Sequence, residues 1–416
     1  MTTATPDTGA TPALKPYLRL LTATQFAFNT GFYAVLPYLA AHLGDGLGMA
    51  GWLVGLVLGL RTFSQQGLFV VGGALTDRYG PRPVVLTGCV LRIAGFCWLA
   101  QAGSTATVIG AVLLIGFAAA LFSPAVESET ARAAVAHETA TGTPRAQVLA
   151  VFSAAGQAGA FLGPLLGSLL LLLGGDFRTA CLAGAVVFVG VLAGHAKLMP
   201  HRPRRPRTAR TGAALPRDVF ANRPFLVLCL VYSSYLVSYN QLYLALPAEV
   251  ERATGSQSAL GGLFALSSLL VVVAQLPLTR WSARRLPPRT ALVTGLAVVA
   301  TGFAAVPLAP DGPAGLLPAA ALVVLLTLGQ MLLVPAARGL VPDLVDDHRL
   351  GLATGALSSV SGLAVLVGSA ATGTLLDTPG AVLWTVLATV PLTGAALALT
   401  LSGGRRTPEP VTAVTD

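Results

Sequence analysis

The chain has 416 residues, of which 10% are charged and 54% are hydrophobic. A soluble domain carries about 25% charged residues, so this composition excludes a soluble enzyme, a disordered chain and a nucleic-acid-binding protein. The hydrophobic runs are continuous and about 20 residues long, as membrane-spanning helices require, whereas the strands of an outer-membrane barrel would alternate apolar and polar residues.

Continuous hydrophobic runs follow one another along the whole chain. They predict an all-α polytopic membrane protein with twelve transmembrane helices. The first run is too long for the apolar part of a signal peptide and has no clear cleavage site, so we interpret it as the first membrane helix. The predicted spans cover residues 17–42, 49–74, 84–102, 106–126, 147–174, 178–196, 224–248, 258–279, 290–308, 314–336, 351–376 and 379–402.

The distribution of positive charge predicts the orientation in the membrane. An even number of spans places both termini on one side. If that side is the cytoplasm, 22 of the 26 Lys and Arg residues lie in cytoplasmic segments and two lie in outer segments. Since cytoplasmic loops are enriched in Lys and Arg, we expect cytoplasmic N and C termini. The preference for arginine over lysine is typical of a GC-rich bacterium and points to a bacterial inner membrane.

The longest polar interruption is rich in Arg and Pro and divides the spans into two sets of six. Residues 80–88 in the first set resemble residues 287–295 in the second. Repeated halves are typical of secondary transporters, which bind substrate between them. The predicted organisation is a cytoplasmic tail at 1–16, an N-terminal six-helix half at 17–198, a basic cytoplasmic linker at 199–223, a C-terminal six-helix half at 224–402 and a cytoplasmic tail at 403–416.

A compact motif lies in the loop between the second and third spans, where the sequence reads GALTDRYGPR. The small Gly73 permits close helix contact, and Gly80 permits a tight turn. Asp77, at the membrane edge, can accept hydrogen bonds from a neighbouring helix N-terminus or from an arginine. With Arg78 and Arg82, these residues predict a latch that holds one conformation. The alternative is an ordinary charged turn.

This motif resembles the loop signature of the major facilitator superfamily, Gly-x-Leu-Ala-Asp-Arg-x-Gly-Arg-Lys, with Pro81 in place of the first basic residue. The segment 60–96 resembles, more specifically, the MdtH-like multidrug exporters, a drug:proton antiporter type. The resemblance implies the major facilitator fold, in which two pseudo-symmetric six-helix halves bind a small-molecule substrate. It also implies a monomer in the lipid bilayer that uses protons and no cofactor.

A second glycine pattern lies in the fifth span. Gly156 is followed by Gly163, Pro164 and Gly167. Glycines let helices approach closely, and the proline loosens the backbone. The pattern resembles the antiporter motif of the same family, with Ser168 in the last place, and this resemblance implies export by exchange. Without the resemblance, the pattern predicts only a small-residue packing face.

Two arginines, Arg61 and Arg92, fall inside predicted spans. A charged side chain within the bilayer is unfavourable unless it faces a partner or water, which makes each arginine a candidate functional residue. Gln65 is one helical turn from Arg61 and can share its face. The alternative for both arginines is structural, with backbone carbonyls and glutamines holding the guanidinium.

No predicted span has an acidic residue near its centre. A proton-coupled transporter needs a group that titrates in a cavity. The best carboxylate candidates for coupling are Glu127 and Glu129, at the inner end of the fourth span. The alternative is that both are loop residues. His195 lies near the end of a span, where we expect it to be interfacial.

Polar and aromatic residues cluster in the first and seventh spans, which a two-fold repeat places opposite each other across a central cavity. Amphipathic aromatic side chains there suit planar, weakly charged ligands. The predicted cavity residues are Gln25, Asn29, Tyr33, Gln65, Tyr232, Tyr235, Tyr239, Asn240 and Tyr243.

Together these patterns predict a secondary active transporter that exports drugs or small amphipathic metabolites by alternating access, driven by the proton gradient. The sequence has no catalytic constellation, nucleotide-binding loop or metal-binding motif, so we predict neither enzymatic activity nor a metal site. Two alternatives stay open. One is an importer or facilitator of a small organic anion with Arg61 as its counter-ion, and the other is a non-transporting membrane sensor.

Overall fold

The computed structural model of the chain describes residues 11–143, 145–200, 221–308, 315–345, 350–376 and 378–401. Over these residues the chain is helical and contains no strand, which confirms the all-α prediction. The predicted tail at 403–416 lies outside the described residues, and so does most of the predicted linker at 199–223.

The described ranges contain fourteen α-helices, some of which join end to end into longer rods. The rod formed by α1 and α2 breaks ahead of Pro37, which has no N–H to continue the helical hydrogen bonds. The rod formed by α3 and α4 breaks at Gly67. The helices are α1 Thr11–Tyr33, α2 Leu36–Ala41, α3 Gly51–Gln66, α4 Phe69–Tyr79, α5 Pro81–Leu99, α6 Thr105–Thr141, α7 Arg145–Leu172, α8 Phe177–Leu198, α9 Arg223–Thr254, α10 Leu260–Arg285, α11 Pro288–Ala305, α12 Leu316–Leu344, α13 Leu350–Leu375 and α14 Gly380–Leu399.

Eleven helical segments are long and apolar enough to cross a membrane, counted over the described residues. One of them, Gly51–Thr76, combines α3 with most of α4. The rod formed by α1 and α2 is not among them, because polar residues such as Arg19, Gln25 and Asn29 lower its hydropathy. The multi-pass helical architecture is therefore confirmed, and the twelfth span stays a prediction.

Several helices, including α6 and α9, run past the ends predicted from hydropathy. The helix α6 continues to Thr141 and α9 to Thr254, whereas the predicted spans end at 126 and 248. Hydropathy marks only the part of a helix that crosses the bilayer, and the continuation of α6 is rich in alanine and glutamate, which favour helix in water as well. Each helix stops at a glycine in the left-handed conformation, Gly142 with φ 72° and Gly255 with φ 68°.

The two halves repeat one contact at a helix end. Arg82, at the start of α5, donates a 2.7 Å hydrogen bond to the carbonyl of Ala196 at the end of α8. Arg289, at the start of α11, donates in the same way to the carbonyl of Leu399 at the end of α14. A guanidinium there satisfies a carbonyl that lacks a helical partner and interacts favourably with the helix dipole. Hydrogen bonds therefore join α5 to α8 in the first half and α11 to α14 in the second.

The halves meet along helix pairs that pack through small residues. The helix α3 lies along α13, α7 lies along α10, and α2 packs against α9. A Cβ added to Gly55 of α3 would overlap the carbonyl of Ser369 in α13, and one added to Gly59 would come within 2.8 Å of Leu366 Cα. Glycine lets these backbones touch, which drives helix association in a membrane.

These contacts close the bundle at the end that holds Gly51, which itself lies against the backbone of α13. On the other interface, Ser168 of α7 donates to the carbonyl of Ser258 at 3.2 Å. At the opposite end, Glu127 of α6 and Arg338 of α12 are exposed. The halves therefore pack closely near Gly51 and Ser168 and leave Glu127 and Arg338 exposed at the opposite end; we refer to these two ends as the closed end and the open end of the bundle.

Candidate functional site

Arg61 lies at the centre of the site, on a buried face of α3, with 8% of its surface exposed. Its Nη2 donates to Oε1 of Gln65 at 2.7 Å and its Nη1 to Oγ1 of Thr62 at 3.4 Å. The guanidinium carbon lies 4.5 Å from the ring centroid of Phe32, within cation–π range. Arg61 and Gln65 thus share one face of α3, as residues four apart in a helix do.

A relay of hydrogen bonds, formed by Thr62, Asn240 and Ser369, runs from this point into the other half. The hydroxyl of Thr62 donates to Oδ1 of Asn240 in α9 at 3.2 Å. The amide nitrogen of Asn240 donates to Oγ of Ser369 in α13 at 2.7 Å. All three side chains are buried. Asn240, which the sequence analysis assigned to the substrate cavity, therefore lies in the interface between the halves.

Arg92 of α5 lies deeper than Arg61, with 1% of its surface exposed. Its Nη1 donates to the carbonyl of Ile115 at 3.0 Å, while Nε and Nη2 have no partner among the described residues. Ring faces carry partial negative charge and attract the guanidinium. The rings form a phenylalanine cage, with centroids 4.9, 5.0, 5.3 and 5.3 Å from the guanidinium carbon for Phe28, Phe32, Phe96 and Phe188.

Four tyrosines form a ladder along one face of α9. Consecutive ring centroids are 5.7, 5.9 and 6.0 Å apart from Tyr232 through Tyr235 and Tyr239 to Tyr243. The last ring, that of Tyr243, stacks on Phe264 at 5.3 Å. A row of rings with hydroxyl groups suits flat amphipathic molecules, which stack on the rings and make a few hydrogen bonds.

The tyrosine ladder and Arg61 face each other across the interface between the halves. The guanidinium of Arg61 lies within electrostatic range of the hydroxyls of Tyr33, Tyr239 and Tyr243. Of the predicted cavity residues, the structure therefore brings these three tyrosines together with Gln65, which binds Arg61.

The glycine pattern of α7 packs against the first rod. Asn29 of α1 donates to the carbonyl of Gly156 at 2.8 Å, and a Cβ added to Gly156 would lie 3.0 Å from the amide nitrogen of Gln25. A Cβ added to Gly163 would lie 2.8 Å from atoms of α1, and one added to Gly167 would overlap the backbone at the end of that helix. Gln25 and Asn29, predicted to line the cavity, thus contact the helix-packing face.

Pro164 continues this packing. Its carbonyl accepts a 2.8 Å hydrogen bond from the hydroxyl of Tyr38, which also lies 2.6 Å from Oγ of Ser168. Ser168 in turn donates to the carbonyl of Ser258, across the interface with the C-terminal half. The residue that replaces the last glycine of the family motif therefore links the two halves at the closed end.

The motif at the turn between α4 and α5 combines several roles. Gly80 ends α4 with φ 85°, a conformation that glycine adopts readily. Arg82 binds the end of α8, and Arg78 lies over the ring of Tyr79 with its guanidinium carbon 5.2 Å from the centroid. The side chain of Asp77 lies outside the described residues, so the latch role stays a prediction.

The close helix contact expected at Gly73 occurs one residue earlier. A Cβ added to Gly72 would overlap the carbonyl of Ala120 in α6, whereas one added to Gly73 would meet no atom within 4 Å. Successive residues point about 100° apart around a helix, so the two glycines face different surroundings. Gly73 thus faces open space in the described conformation.

The two candidate coupling carboxylates lie within α6, so the alternative that both are loop residues is wrong. Glu129 is fully buried and accepts hydrogen bonds from the hydroxyl of Tyr17 at 2.9 Å and from Arg132 at 2.7 Å. Glu127 is exposed at the open end and lies within electrostatic range of Arg338 in α12. The structure thus separates two residues that the sequence leaves equivalent.

His195 is buried, although its place near a span end predicted an interfacial residue. The side chain is fully buried, and its Nε2 lies 2.9 Å from the hydroxyl of Thr24 in α1. Its Nδ1 has no partner among the described residues. The partner comes from a helix distant in sequence, so no local signal would have found it.

Comparison with known proteins identifies the family. The chain matches the family model described as Major Facilitator Superfamily over residues 20–368 and 228–415. It is 38% identical to an uncharacterized MFS-type transporter of Mycobacterium tuberculosis over 372 residues, 86% of this chain and 85% of that protein. It is 32% identical to the multidrug resistance protein MdtH of Escherichia coli (strain K12 / DH10B) over 336 residues, 78% of this chain and 80% of MdtH.

Solved structures share the fold. The crystal structure of the nucleoside transporter NupG has a TM-score of 0.78 at 14% identity and covers 94% of this chain and 100% of that chain. The peptide transporter POT in complex with sulfate has a TM-score of 0.76 at 17% identity and covers 92% of this chain and 93% of that chain. At such identities the likeness concerns the fold alone. With the family match over most of its length, this helical membrane protein belongs to the major facilitator superfamily, a family of non-enzymatic membrane transporters.

Proposed function

We propose that the chain is a secondary active transporter that exports drugs or small amphipathic metabolites, as a monomer, by alternating access coupled to the proton gradient. The observation that carries the proposal is the tyrosine ladder of α9, which faces Arg61 and Gln65 between the halves. Flat ligands stack on such rings, and a few polar groups orient them. Similarity to MdtH, described as a multidrug resistance protein, supports this substrate class.

The distribution of Lys and Arg supports cytoplasmic termini in a bacterial inner membrane. In that orientation the closed end of the bundle faces outward, and the open end, with Glu127 and Arg338, faces the cytoplasm. The described conformation then corresponds to the state that loads substrate before export. Rocking of the halves about the ladder would open the outer end and bring Glu127 close to Arg338.

Glu127 is a better coupling residue than Glu129. Both carboxylate oxygens of Glu129 are engaged, one by Tyr17 and one by Arg132. Glu127 is exposed at the open end, so it can exchange protons with the cytoplasm, and Arg338 competes with a proton for its carboxylate when the halves close. In this proposal Glu127 releases a proton to the cytoplasm as substrate binds; after the halves rock, a proton that enters through the opened outer end and the central cavity displaces Arg338 from its carboxylate.

Inverted membrane vesicles test the function and the coupling together. With an acidic interior, we expect accumulation of a planar dye such as Hoechst 33342 and loss of accumulation when nigericin collapses the pH gradient. Glu127→Gln is expected to abolish gradient-driven accumulation while dye binding persists. Glu129→Gln serves as the matched variant, and we expect it to lower the amount of folded protein without uncoupling what remains. Dye accumulation that persists after nigericin collapses the pH gradient would rule out proton coupling.

A second candidate function is import or facilitated passage of a small organic anion. It is favoured by the two buried guanidinium groups of Arg61 and Arg92, neither of which forms an ion pair within the described ranges. The test is binding of a matched pair of planar ligands, one neutral and one carboxylated. Arg61→Gln is expected to weaken binding of the carboxylated ligand selectively. Equal effects on both ligands would remove this candidate.

A further inference from the structure

A groove with a volume of ≈ 620 Å³ lies between the N-terminal parts of α1 and α7 and the end of α6. Further along, α1 and α7 touch, because Gly156, Gly159 and Gly163 let the two helices approach closely. Ahead of these glycines the helices leave a gap, which we call the α1–α7 groove. Its lining includes Arg19 and Phe26 of α1, His137 of α6, and Gln147, Val151 and Ala155 of α7.

The α1–α7 groove opens towards the lipid, away from the interface between the halves. Val151 shares its face of α7 with Leu162 and Leu169, because spacings of 11 and 18 residues return to nearly the same direction around a helix. These side chains are 53%, 43% and 51% exposed, respectively. Ser168, which bonds to the C-terminal half, points about 100° away from Val151. In a membrane protein such a row of exposed apolar side chains contacts acyl chains.

The lining of the α1–α7 groove changes from polar to apolar along the two helices. Arg19 and Gln147 lie at its polar end, near the turn between α6 and α7. A rise of 1.5 Å per residue places Phe26 about 10 Å beyond Arg19 and Ala155 about 12 Å beyond Gln147. The far end is apolar, so the groove is amphipathic along its length, as a phospholipid molecule is.

The charge at the polar end of the groove is positive. Arg19 is exposed, and so is Lys15, one helical turn before it. No acidic side chain is among the described residues that line the groove. Thr22, Thr143 and Gln147 add side-chain hydrogen-bond donors. A guanidinium with neighbouring neutral donors suits a phosphate ester, whose oxygens accept charge-assisted hydrogen bonds.

We propose that the α1–α7 groove binds an anionic phospholipid, with the phosphate at Arg19 and an acyl chain along Phe26 and Val151. With cytoplasmic termini, as the charge distribution predicts, this lipid belongs to the inner leaflet. A zwitterionic lipid would fill the apolar end of the groove but would leave the charges of Arg19 and Lys15 unbalanced. The proposal does not depend on the direction or substrate of transport.

Native mass spectrometry of the full-length protein, purified in detergent, counts the lipids that stay bound. Phosphatidylglycerol and phosphatidylcholine with identical acyl chains are compared, since they differ in net charge. We expect one tightly held phosphatidylglycerol per chain, with a half-saturating concentration about fivefold or more below that of phosphatidylcholine. Equal retention of both lipids would overturn the proposal. Displacement by glycerol phosphate, which has no acyl chain, would also overturn it and indicate a site for a soluble phosphate.

Arg19→Gln tests the headgroup contact. We expect this change to raise the half-saturating concentration of phosphatidylglycerol about fivefold and to leave that of phosphatidylcholine unchanged, because one positive charge is removed. The matched control is Arg284→Gln, which changes an exposed arginine of α10 outside the groove and should alter neither value. Wild-type affinity for phosphatidylglycerol in folded Arg19→Gln would contradict the proposed phosphate position.

A tryptophan in the groove tests the position of the acyl chain without changing any charge. Val151→Trp places an indole in the α1–α7 groove and is expected to abolish retention of the tightly held phosphatidylglycerol. Leu169→Trp is the matched control, because it lies on the same face of α7, five turns further along, and is similarly exposed. Unfolding midpoints establish that both variants are folded. Equal retention of phosphatidylglycerol by the two variants would place the lipid elsewhere on the protein and contradict the proposal.

Discussion

The hydroxyl of Thr62 in α3 donates a 3.2 Å hydrogen bond to the side chain of Asn240 in α9, joining two helices from different halves of the bundle. Thr62 is also the neighbour of Arg61 and accepts a hydrogen bond from it. Asn240 continues the connection to Ser369 in α13. Two hydrogen bonds therefore connect Arg61 to Asn240 in the other half of the bundle.

We predict that Asn240→Leu lowers both the unfolding midpoint and the rate of transport, because it removes two interhelical hydrogen bonds and places a bulkier side chain of the same branching at a buried position. Such bonds contribute about 0.6 kcal/mol each on average in membrane helices. Ser369→Ala removes one of them and is expected to have a smaller effect. If the relay acts as a unit, the double variant is less impaired than the sum of the single variants. Strict additivity of the unfolding midpoints would contradict the relay.

Gly163→Ala is predicted to destabilise the protein, because its Cβ would lie 2.8 Å from both the Thr30 carbonyl and the Tyr33 Cβ. Overpacking of this kind costs about 1–3 kcal/mol. The matched control is Gly190→Ala in α8, where a Cβ meets no atom within 4 Å. That change should be neutral or stabilising, since alanine favours helix over glycine. Unfolding midpoints measure both, and equal effects would contradict the packing role of α7.

Gly73→Ala is predicted to leave the unfolding midpoint unchanged or to raise it slightly, since alanine favours helix over glycine, and to slow transport. Its Cβ meets no atom within 4 Å in the open-ended conformation, so the loss would arise in a conformation where another helix approaches. Gly72→Ala is the contrasting variant, because its Cβ would overlap the carbonyl of Ala120 and lower the midpoint directly. Normal transport by Gly73→Ala would leave Gly73 without a part in the latch.

Phe188→Leu is predicted to destabilise the wild type more than it destabilises an Arg92→Met variant. The ring centroid of Phe188 lies 5.3 Å from the guanidinium carbon, and a desolvated cation–π contact is worth about 2 kcal/mol. The difference between the two backgrounds isolates the charge-dependent part from the loss of packing. Unfolding midpoints of the wild type, the two single variants and the double variant complete the double-mutant cycle. An equal effect of Phe188→Leu in both backgrounds would mean that the phenylalanine cage stabilises the protein by packing alone.

Two aspartates outside the spans are predicted to affect pH dependence with opposite signs. Hydrogen bonds from the backbone and hydroxyl of Thr179 hold the pKa of Asp176 below its ordinary value of 3.8. Its contribution is present above pH 3.8 and is lost as pH falls through the lowered pKa. Desolvation, and then repulsion from Glu251, raise the pKa of Asp45. Its favourable protonated state is lost as pH rises through the raised pKa.

The variants Asp176→Asn and Asp45→Asn separate these effects. Asparagine still caps a helix, so Asp176→Asn should fall below the wild type at pH 7 by an amount that shrinks as the pH falls below 3.8. Asp45→Asn should match the wild type at pH 3 and exceed it at pH 7, by a small amount because Asp45 is exposed. Unfolding midpoints measured between pH 3 and pH 7 give the difference between each variant and the wild type. Differences of the same sign for the two variants would contradict the assigned directions of the pKa shifts.

The membrane architecture was predictable because hydropathy averages over a whole span and tolerates errors at single residues. Rotation about a helix axis does not follow from such an average. Tyr239 and the adjacent Asn240 therefore looked alike in sequence, yet one faces Arg61 and the other bonds to Ser369 in the interface. The shift of the tight contact from Gly73 to Gly72 has the same origin.

Partners from distant helices were the second limit. The sequence marked Arg92 as an intramembrane charge, and its partners proved to be ring faces contributed by α1, α5 and α8. Glu129 likewise depends on Tyr17 of α1. Such pairings need the packing arrangement of the helices, which one sequence does not contain.

The arginines that secure the ends of α8 and α14 have a consequence for biogenesis. With cytoplasmic termini, as the charge distribution predicts, Arg82 and Arg289 would belong to the charges that keep a loop from crossing the membrane during insertion. The same side chains hydrogen-bond α5 to α8 and α11 to α14. Membrane insertion and the packing of the inserted helices would thus depend on the same two arginines. An engineered redistribution of charge that removed Arg82 and Arg289 to invert the chain in the membrane would also remove both hydrogen bonds. The inverted protein would then insert without the contacts that join α5 to α8 and α11 to α14.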